Sequence, residues 1–410
     1  MEQTGFKVYG YRWIMLLTFM SAVAINQMLW ITFAPITGDA ARYYGVSDLN
    51  IGLLSLIFML VYIVFSIPAS WVIDTYGIRR AVGIGVALTG AFGLLRGAVA
   101  HSYPLVLVAQ IGIAIGQPFI LNAVTTVAAR WFPLRERATA AGLGSLAMYL
   151  GILVGLALTP YLTLHTDIAR MLVIYGVAAG LVTLLFFALA RERPPTPPCP
   201  PDQEGRSLVL DGLKQIVRQK DFLRLMAIFL VGLGVFNAVT TWIEDILRPR
   251  GFSITQAGNT GGLMIVGGIV GALIMPALSD HYRRRTPFLI AALIGATLGL
   301  VGLTYATGYP LLLASAFLLG FFLLSAGPIG FQYGAEVTYP APEGTSNGLL
   351  LLMGQISGIA FILGMDSLKA PGTGAMTLPL GLLAGLMVLS LLLCTGLREA
   401  PALAVHHPDR

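Results

Sequence analysis

The chain has 410 residues, of which 56% are apolar and only 11% carry charge. A soluble globular protein gives about a quarter of its residues to charge, so 25 basic and 19 acidic side chains cannot cover an aqueous fold of this length. Lipid is the natural solvent for a mean hydropathy of +0.81, and the net charge of +6 says nothing about partners until it is located.

A helix needs about 20 mostly apolar residues to cross a bilayer core. Twelve such runs follow one another, at 12–36, 49–73, 80–100, 103–129, 137–162, 168–190, 222–247, 256–278, 286–307, 309–333, 344–366 and 376–397. The first is long enough to span and lacks a small-residue cleavage site, so it reads as a retained anchor rather than a secretory leader. Between the sixth and seventh runs the chain turns polar, opening RERPPTPPCPPDQEG at Arg191, and this reads as an extended linker with a short amphipathic stretch at Leu208 to Val217. The expected architecture is an all-α membrane protein: a six-helix bundle at 1–190, a cytoplasmic linker at 191–220, a second six-helix bundle at 221–398 and a cytoplasmic tail at 399–410.

Lysine and arginine are enriched in the short loops on the cytoplasmic side of a membrane. With the N-terminus inside, 19 of the 25 basic residues fall on that side, and the six exceptions are Arg42, Arg96, Arg170, Arg248, Arg250 and Lys369. Both termini are then cytoplasmic, in a plasma or inner membrane. The positive charge is topological, so nucleic acid is not an expected partner. Arg96, near the outer end of the third run, is expected to snorkel toward the interface.

The halves echo each other. Asp74 followed by Arg79 and Arg80 returns as Asp280 followed by Arg284 and Arg285, and Pro133 to Glu136 returns as Pro340 to Glu343, which sets Tyr149 opposite Gln355. Repeated six-helix halves fit a transporter that rocks one half against the other around a site near the membrane midplane.

The tract Ser70-x-x-x-Asp74-x-x-Gly77-x-Arg79-Arg80 resembles the loop signature of the major facilitator superfamily, with Ser70 where a glycine is usual. An acid beside guanidinium groups at two helix ends can latch one state, so Asp74, Arg79, Arg80 and Asp280 are candidate cytoplasmic gate residues, although the second copy lacks the glycine. The tracts Asn26 to Trp30, Tyr44 to Ser47, Gln117 to Leu121, Trp131-Phe132, Glu336 to Pro340 and Glu343 to Leu350 look like the feline leukaemia virus subgroup C receptor-related branch of that superfamily. The branch is associated with choline, ethanolamine, haem and vitamin B6, so the resemblance implies a carrier of an organic solute. It also implies that Trp30, Gln117 and Gln355 contact the solute. A tyrosine on the seventh helix is matched here by Asn237, with Trp242 on another face of the same helix.

The residues themselves support part of this. An amide inside the hydrocarbon region is expensive unless it meets a partner or a water-filled cavity. Gln117 and Gln355 lie mid-run with Tyr149, and either line a cavity or bond across helices. Trp30 can stack on a cation or belong to an interfacial belt, and Asn26 lies one turn earlier on the same face. Glu244 and Asp245 are candidate coupling or cation-attracting residues, with the alternative that they are hydrated carboxylates paired with Arg248 or Arg250. Glu336 is read in the same two ways, as a proton carrier or as a partner of Arg130 or the loop charges.

No phosphate-binding loop, metal-ligand spacing or nucleophile and base pairing is legible, so neither an enzyme nor a cofactor is expected. The leading expectation is a monomeric secondary transporter of a small polar or cationic solute working by alternating access. A proton-coupled carrier of a larger or anionic solute and a non-transporting membrane receptor are the competing readings.

Overall fold

The computed structural model describes residues 8–196, 219–338 and 343–399. Among them every regular element is a helix, and twelve helical segments are long and apolar enough to cross a membrane. Side chains such as Ile67 and Leu184, 80% and 68% exposed, have no place in water and mark surfaces made for lipid. The expected amphipathic stretch at Leu208 to Val217 lies outside the described residues.

The chain separates into two compact units, Met1–Arg206 and Ser207–Arg410. In the first, α1 (Tyr11–Ile31) continues through a short 3₁₀ turn at Ala34–Ile36 into α2 (Thr37–Tyr44). The first span is therefore longer than the apolar run. Pro35 supplies no N–H and breaks the regular helix, and α2 stops only at Gly45, whose left-handed backbone returns its N–H to Ala41 and Arg42. The unit continues with α3 (Asp48–Tyr76), α4 (Ile78–Ala98), α5 (Tyr103–Leu121), α6 (Val124–Trp131), α7 (Leu134–His165) and α8 (Ile168–Leu189). Helix α1 packs on α7, and α4 packs between α5 and α8. Met15, Phe19, Val86, Ile120, Phe132 and Phe186 close one end of its core.

The fourth span is α5 and α6 in series, interrupted at Asn122 and Ala123 one turn after Pro118. A broken helix in lipid must find other partners for its polar groups. The backbone closes locally, Asn122 N–H to Pro118 O (3.1 Å) and Ala123 N–H to Ile120 O (3.2 Å), and the Asn122 side chain ties the break to α3 by donating from Nδ2 to Ser66 O (3.1 Å) and Ser70 Oγ (3.0 Å) while its Oδ1 accepts from the Tyr62 hydroxyl (2.7 Å).

The second unit comprises α9 (Lys220–Thr241), the short α10 (Ile243–Leu247), α11 (Ile254–Tyr282), α12 (Thr286–Tyr305), α13 (Tyr309–Thr338), α14 (Glu343–Ser367) and α15 (Thr377–Thr395). Helix α13 packs on α11 and α12, and α9 packs on α14. The seventh span breaks at Trp242, which caps α9 and starts α10.

Candidate functional site

In the first unit the polar side chains divide into those already bonded and those left open. Trp30 is 5% exposed and donates Nε1–H to Ser55 O at 3.1 Å, tying α1 to α3. Asn26, fully buried, donates to Thr89 Oγ1 at 3.1 Å and lies 3.4 Å from Ile113 O, joining α1 to α4 and α5. Gln117 is different. It is 6% exposed on α5, and its side-chain amide has no hydrogen-bond partner among the described residues. Tyr149 on α7 is half-buried, and no hydrogen bond joins it to Trp30 or Gln117.

Arg96 does not snorkel. It is fully buried, donating to Leu29 O (3.1 Å), Gln110 Oε1 (2.8 Å) and Thr32 Oγ1 (3.4 Å), with its guanidinium 5.7 Å from the Phe33 ring centroid. Gln110 completes the knot by donating to Leu54 O at 3.1 Å. Position along a helix suggested a route to solvent, but Gln110 on the neighbouring helix offers an acceptor that keeps the charge inside.

In the second unit, Asn237 on α9 donates Nδ2–H to Gly354 O on α14 at 3.1 Å, one residue before Gln355. Asn237 is thus bonded to the residue before Gln355, both side chains are half-buried, and the Gln355 amide has no hydrogen-bond partner among the described residues.

Glu244 and Asp245, on α10, are not hydrated carboxylates. They are 3% and 1% exposed, and Arg248 reaches both, 3.2 Å from Glu244 Oε2 and closer still to Asp245. Lys369 also pairs with Asp245 and lies 2.8 Å from Asp366. Arg250 instead donates to the carbonyls of Leu303 and Ala306. Burial alone would lower the Lys369 ammonium, but attraction by Asp245 and hydrogen bonds to Asp245 and Asp366 hold it above its ordinary 10.5. A group raised on folding stabilises fully below its unfolded value and loses that contribution as pH rises through the folded one. As pH rises above 10.5 the wild-type apparent Tm is therefore expected to fall more steeply than that of Lys369→Met, in a thermal-unfolding series.

At the loop signature, Asp74, Arg79 and Arg80 are exposed, and none of their side chains forms an ion pair among the described residues. The carboxylate that acts there is Glu192, after α8. It accepts the backbone N–H of Ile78 (3.0 Å) and Arg79 (2.7 Å) at the start of α4, and pairs with Arg130. Gly77, at φ +89°, makes room for it, because a Cβ there would collide with the Glu192 carboxylate. The second unit repeats the device: Glu399, after α15, accepts from the N–H of Arg285 and Thr286, both at 3.0 Å, at the start of α12. Here Arg285 also binds Asp280 and lies 3.1 Å from Glu336, so the loop cation Arg285 is the partner that Glu336 finds. Burial alone would lower the Arg285 guanidinium, but hydrogen bonds to Glu336 and Asp280 hold it above its ordinary value. Replacing Glu192 by alanine strips two helix N–H groups and Arg130 of their acceptor, and a loss of about 1–2 kcal/mol is expected, measured as a lower apparent Tm relative to Asp74→Ala.

Glu192 and Glu399 were missed because each follows an arginine in a polar tract where a carboxylate looks solvated. The signal was available as a repeat: Arg191-Glu192 and Arg398-Glu399 are 207 positions apart, in register with the echo of the halves.

Residues 15–362 match the family model described as Major Facilitator Superfamily. Solute carrier family 49 member A3 of Xenopus tropicalis is 31% identical over 388 residues, covering 90% of this chain and 80% of the relative. The choline/ethanolamine transporter flvcr2b of Danio rerio is 30% identical over 377 residues, covering 87% and 77%. The choline/ethanolamine transporter FLVCR2 of Rattus norvegicus is 28% identical over 381 residues, covering 88% and 70%. Among solved structures, an inward-facing, unoccupied bacterial homolog of the human lysosomal transporter Spinster shares the fold, with a TM-score of 0.71 over 97% of both chains at 16% identity.

Proposed function

The chain belongs to the Major Facilitator Superfamily of membrane transporters, and from that premise we propose that it carries a small cationic amine of the choline or ethanolamine kind by alternating access. The observation that supports this reading is Gln117, a mid-span side chain only 6% exposed whose amide has no hydrogen-bond partner among the described residues. A solute hydroxyl or ammonium is such a partner. Within the first unit Tyr149 offers an aromatic and hydroxyl surface and Trp30 a ring whose N–H is already committed to Ser55; within the second, Gln355 offers an open amide next to the Gly354 carbonyl that Asn237 binds. Asn26 is spent on joining helices, which gives it a supporting role. The names of two relatives supply the solute class.

The ion pairs support a carrier without proton transfer at the seventh span: Arg248 and Lys369 engage the carboxylates of Glu244 and Asp245. In this reading the gate is not made by the side chains of Asp74, Arg79 and Arg80 in the described state; Glu192 and Arg285 hold its two copies. The basic loops support the reading that both termini are cytoplasmic in a plasma or inner membrane, and the proposed transporter is a monomer.

The test is counterflow in proteoliposomes. Labelled choline or ethanolamine should accumulate against unlabelled solute on the other side, with flux retained in Glu244→Gln and indifferent to a pH gradient. Flux that follows the pH gradient and stops in Glu244→Gln overturns the reading in favour of proton coupling. Binding of an amine without any counterflow overturns it in favour of a receptor.

A further inference from the structure

The seventh span does not end on an ordinary ion pair. At its break, Trp242 is fully buried and anchored by Nε1–H donation to Ile362 O at 3.0 Å, so the plane of its ring is set. Over that ring, 4.5 Å from its centroid, sits the ammonium of Lys369, which also contacts the carboxylate of Asp245. An aromatic face with a carboxylate beside it is the chemistry that selects an organic ammonium. A solute amine would need the same two groups in the same places.

The occupant is poorly matched to a purely structural role. Lysine is a point charge on a flexible four-carbon stem and lacks the planar fork that locks an arginine onto a carboxylate. Its side chain is 17% exposed, so the site communicates with solvent, while Asp245 at 1% does not without it. Glu244, Asp245 and Asp366 gather around Arg248 and Lys369, so carboxylates flank the ammonium as well as the ring. Arg248 keeps both carboxylates of α10 partnered if Lys369 leaves.

We propose that Trp242 and Asp245 form a binding site for an organic ammonium ion at the end of the seventh span, and that Lys369 is a tethered occupant which an incoming amine displaces. The site lies wholly within the second unit and is separate from Gln117. It rests on the proposed amine solute only for the class of ligand, since its test measures binding and not transport.

Tetramethylammonium is the probe, because it carries the cation without a reactive N–H. In Lys369→Met its half-saturating concentration, read by isothermal titration calorimetry, should fall at least tenfold below wild type, and Lys369→Met/Trp242→Phe should lose that gain. Lys369→Met with wild-type affinity, or a gain that survives Trp242→Phe, overturns the proposal. Should Lys369→Met fail to fold, the wild-type protein still decides. Displacement by tetramethylammonium should raise the rate at which an N-hydroxysuccinimide ester acylates Lys369, followed by mass spectrometry, and an unchanged rate overturns the proposal. A protein that binds tetramethylammonium in this way yet carries no choline refutes only the transport reading. Choline counterflow without either effect refutes only this site.

Discussion

Gly320→Leu is expected to yield no folded protein in the membrane, and Gly320→Ala to lower the apparent Tm markedly. Gly320 lies on α13 where that helix crosses α11, and a Cβ at this position would fall on the carbonyl oxygen of Met264. Backbone cannot turn aside as a side chain can. Two helices that approach this closely through a glycine gain van der Waals contact along their length, which is what holds helices together where lipid removes the hydrophobic drive. One methyl group must push the pair apart, and an overpacking cost of ~3 kcal/mol corresponds to roughly 6–12 °C for a unit of this size. The comparison is Gly385→Ala on α15, where nothing lies within 4 Å of the added Cβ. There the better helix propensity of alanine should leave Tm unchanged or slightly raised. Thermal unfolding of the detergent-purified variants, read beside size-exclusion profiles, checks both.

Gln117→Leu should separate activity from stability in the opposite sense. The wild-type side chain is 6% exposed and its amide has no hydrogen-bond partner among the described residues, so an apolar side chain of similar volume breaks no bond there, and Tm should hold. Amine transport should collapse, because a hydrogen bond to a charged group is worth about 1.5–3 kcal/mol, or a roughly 10- to 100-fold rise in the half-saturating concentration. Gln110→Leu makes the contrast. Gln110 is fully buried too, but it accepts from Arg96 and donates to Leu54 O. Its loss leaves a buried guanidinium short of an acceptor, so Tm should fall. If Gln117→Leu loses stability with its activity, Gln117 is a structural amide and the proposed solute contact fails.

The two glutamines show how far the sequence could be read. Both sit in the fourth apolar run, and both announce themselves as expensive. Which one is satisfied depends on Arg96, 14 positions before Gln110 on the preceding helix, and the sequence records position on a helix but not the neighbour across the groove. Twelve spans were legible because hydropathy integrates over about 20 residues. The breaks at Asn122 and Trp242 were not, since each rests on partners from another helix: Ser66 and Ser70 in one case, Ile362 in the other. Glu244 and Asp245 were visible as acids at a span end. Their burial was not, because Lys369, which closes over Asp245, lies 124 positions away.

The carboxylates at the end of each half have a further meaning for how such a chain is made. Each unit is shut by its own last residues: Glu192 reaches back to α4, and Glu399 to α12. The clasp arrives only after all six spans of that half have emerged from the ribosome, and it needs nothing from the other half. A newly inserted first half can therefore seal itself while the second is still being synthesised. A chain cut just before the clasp leaves the third helix of that half without the carboxylate that accepts its first N–H groups.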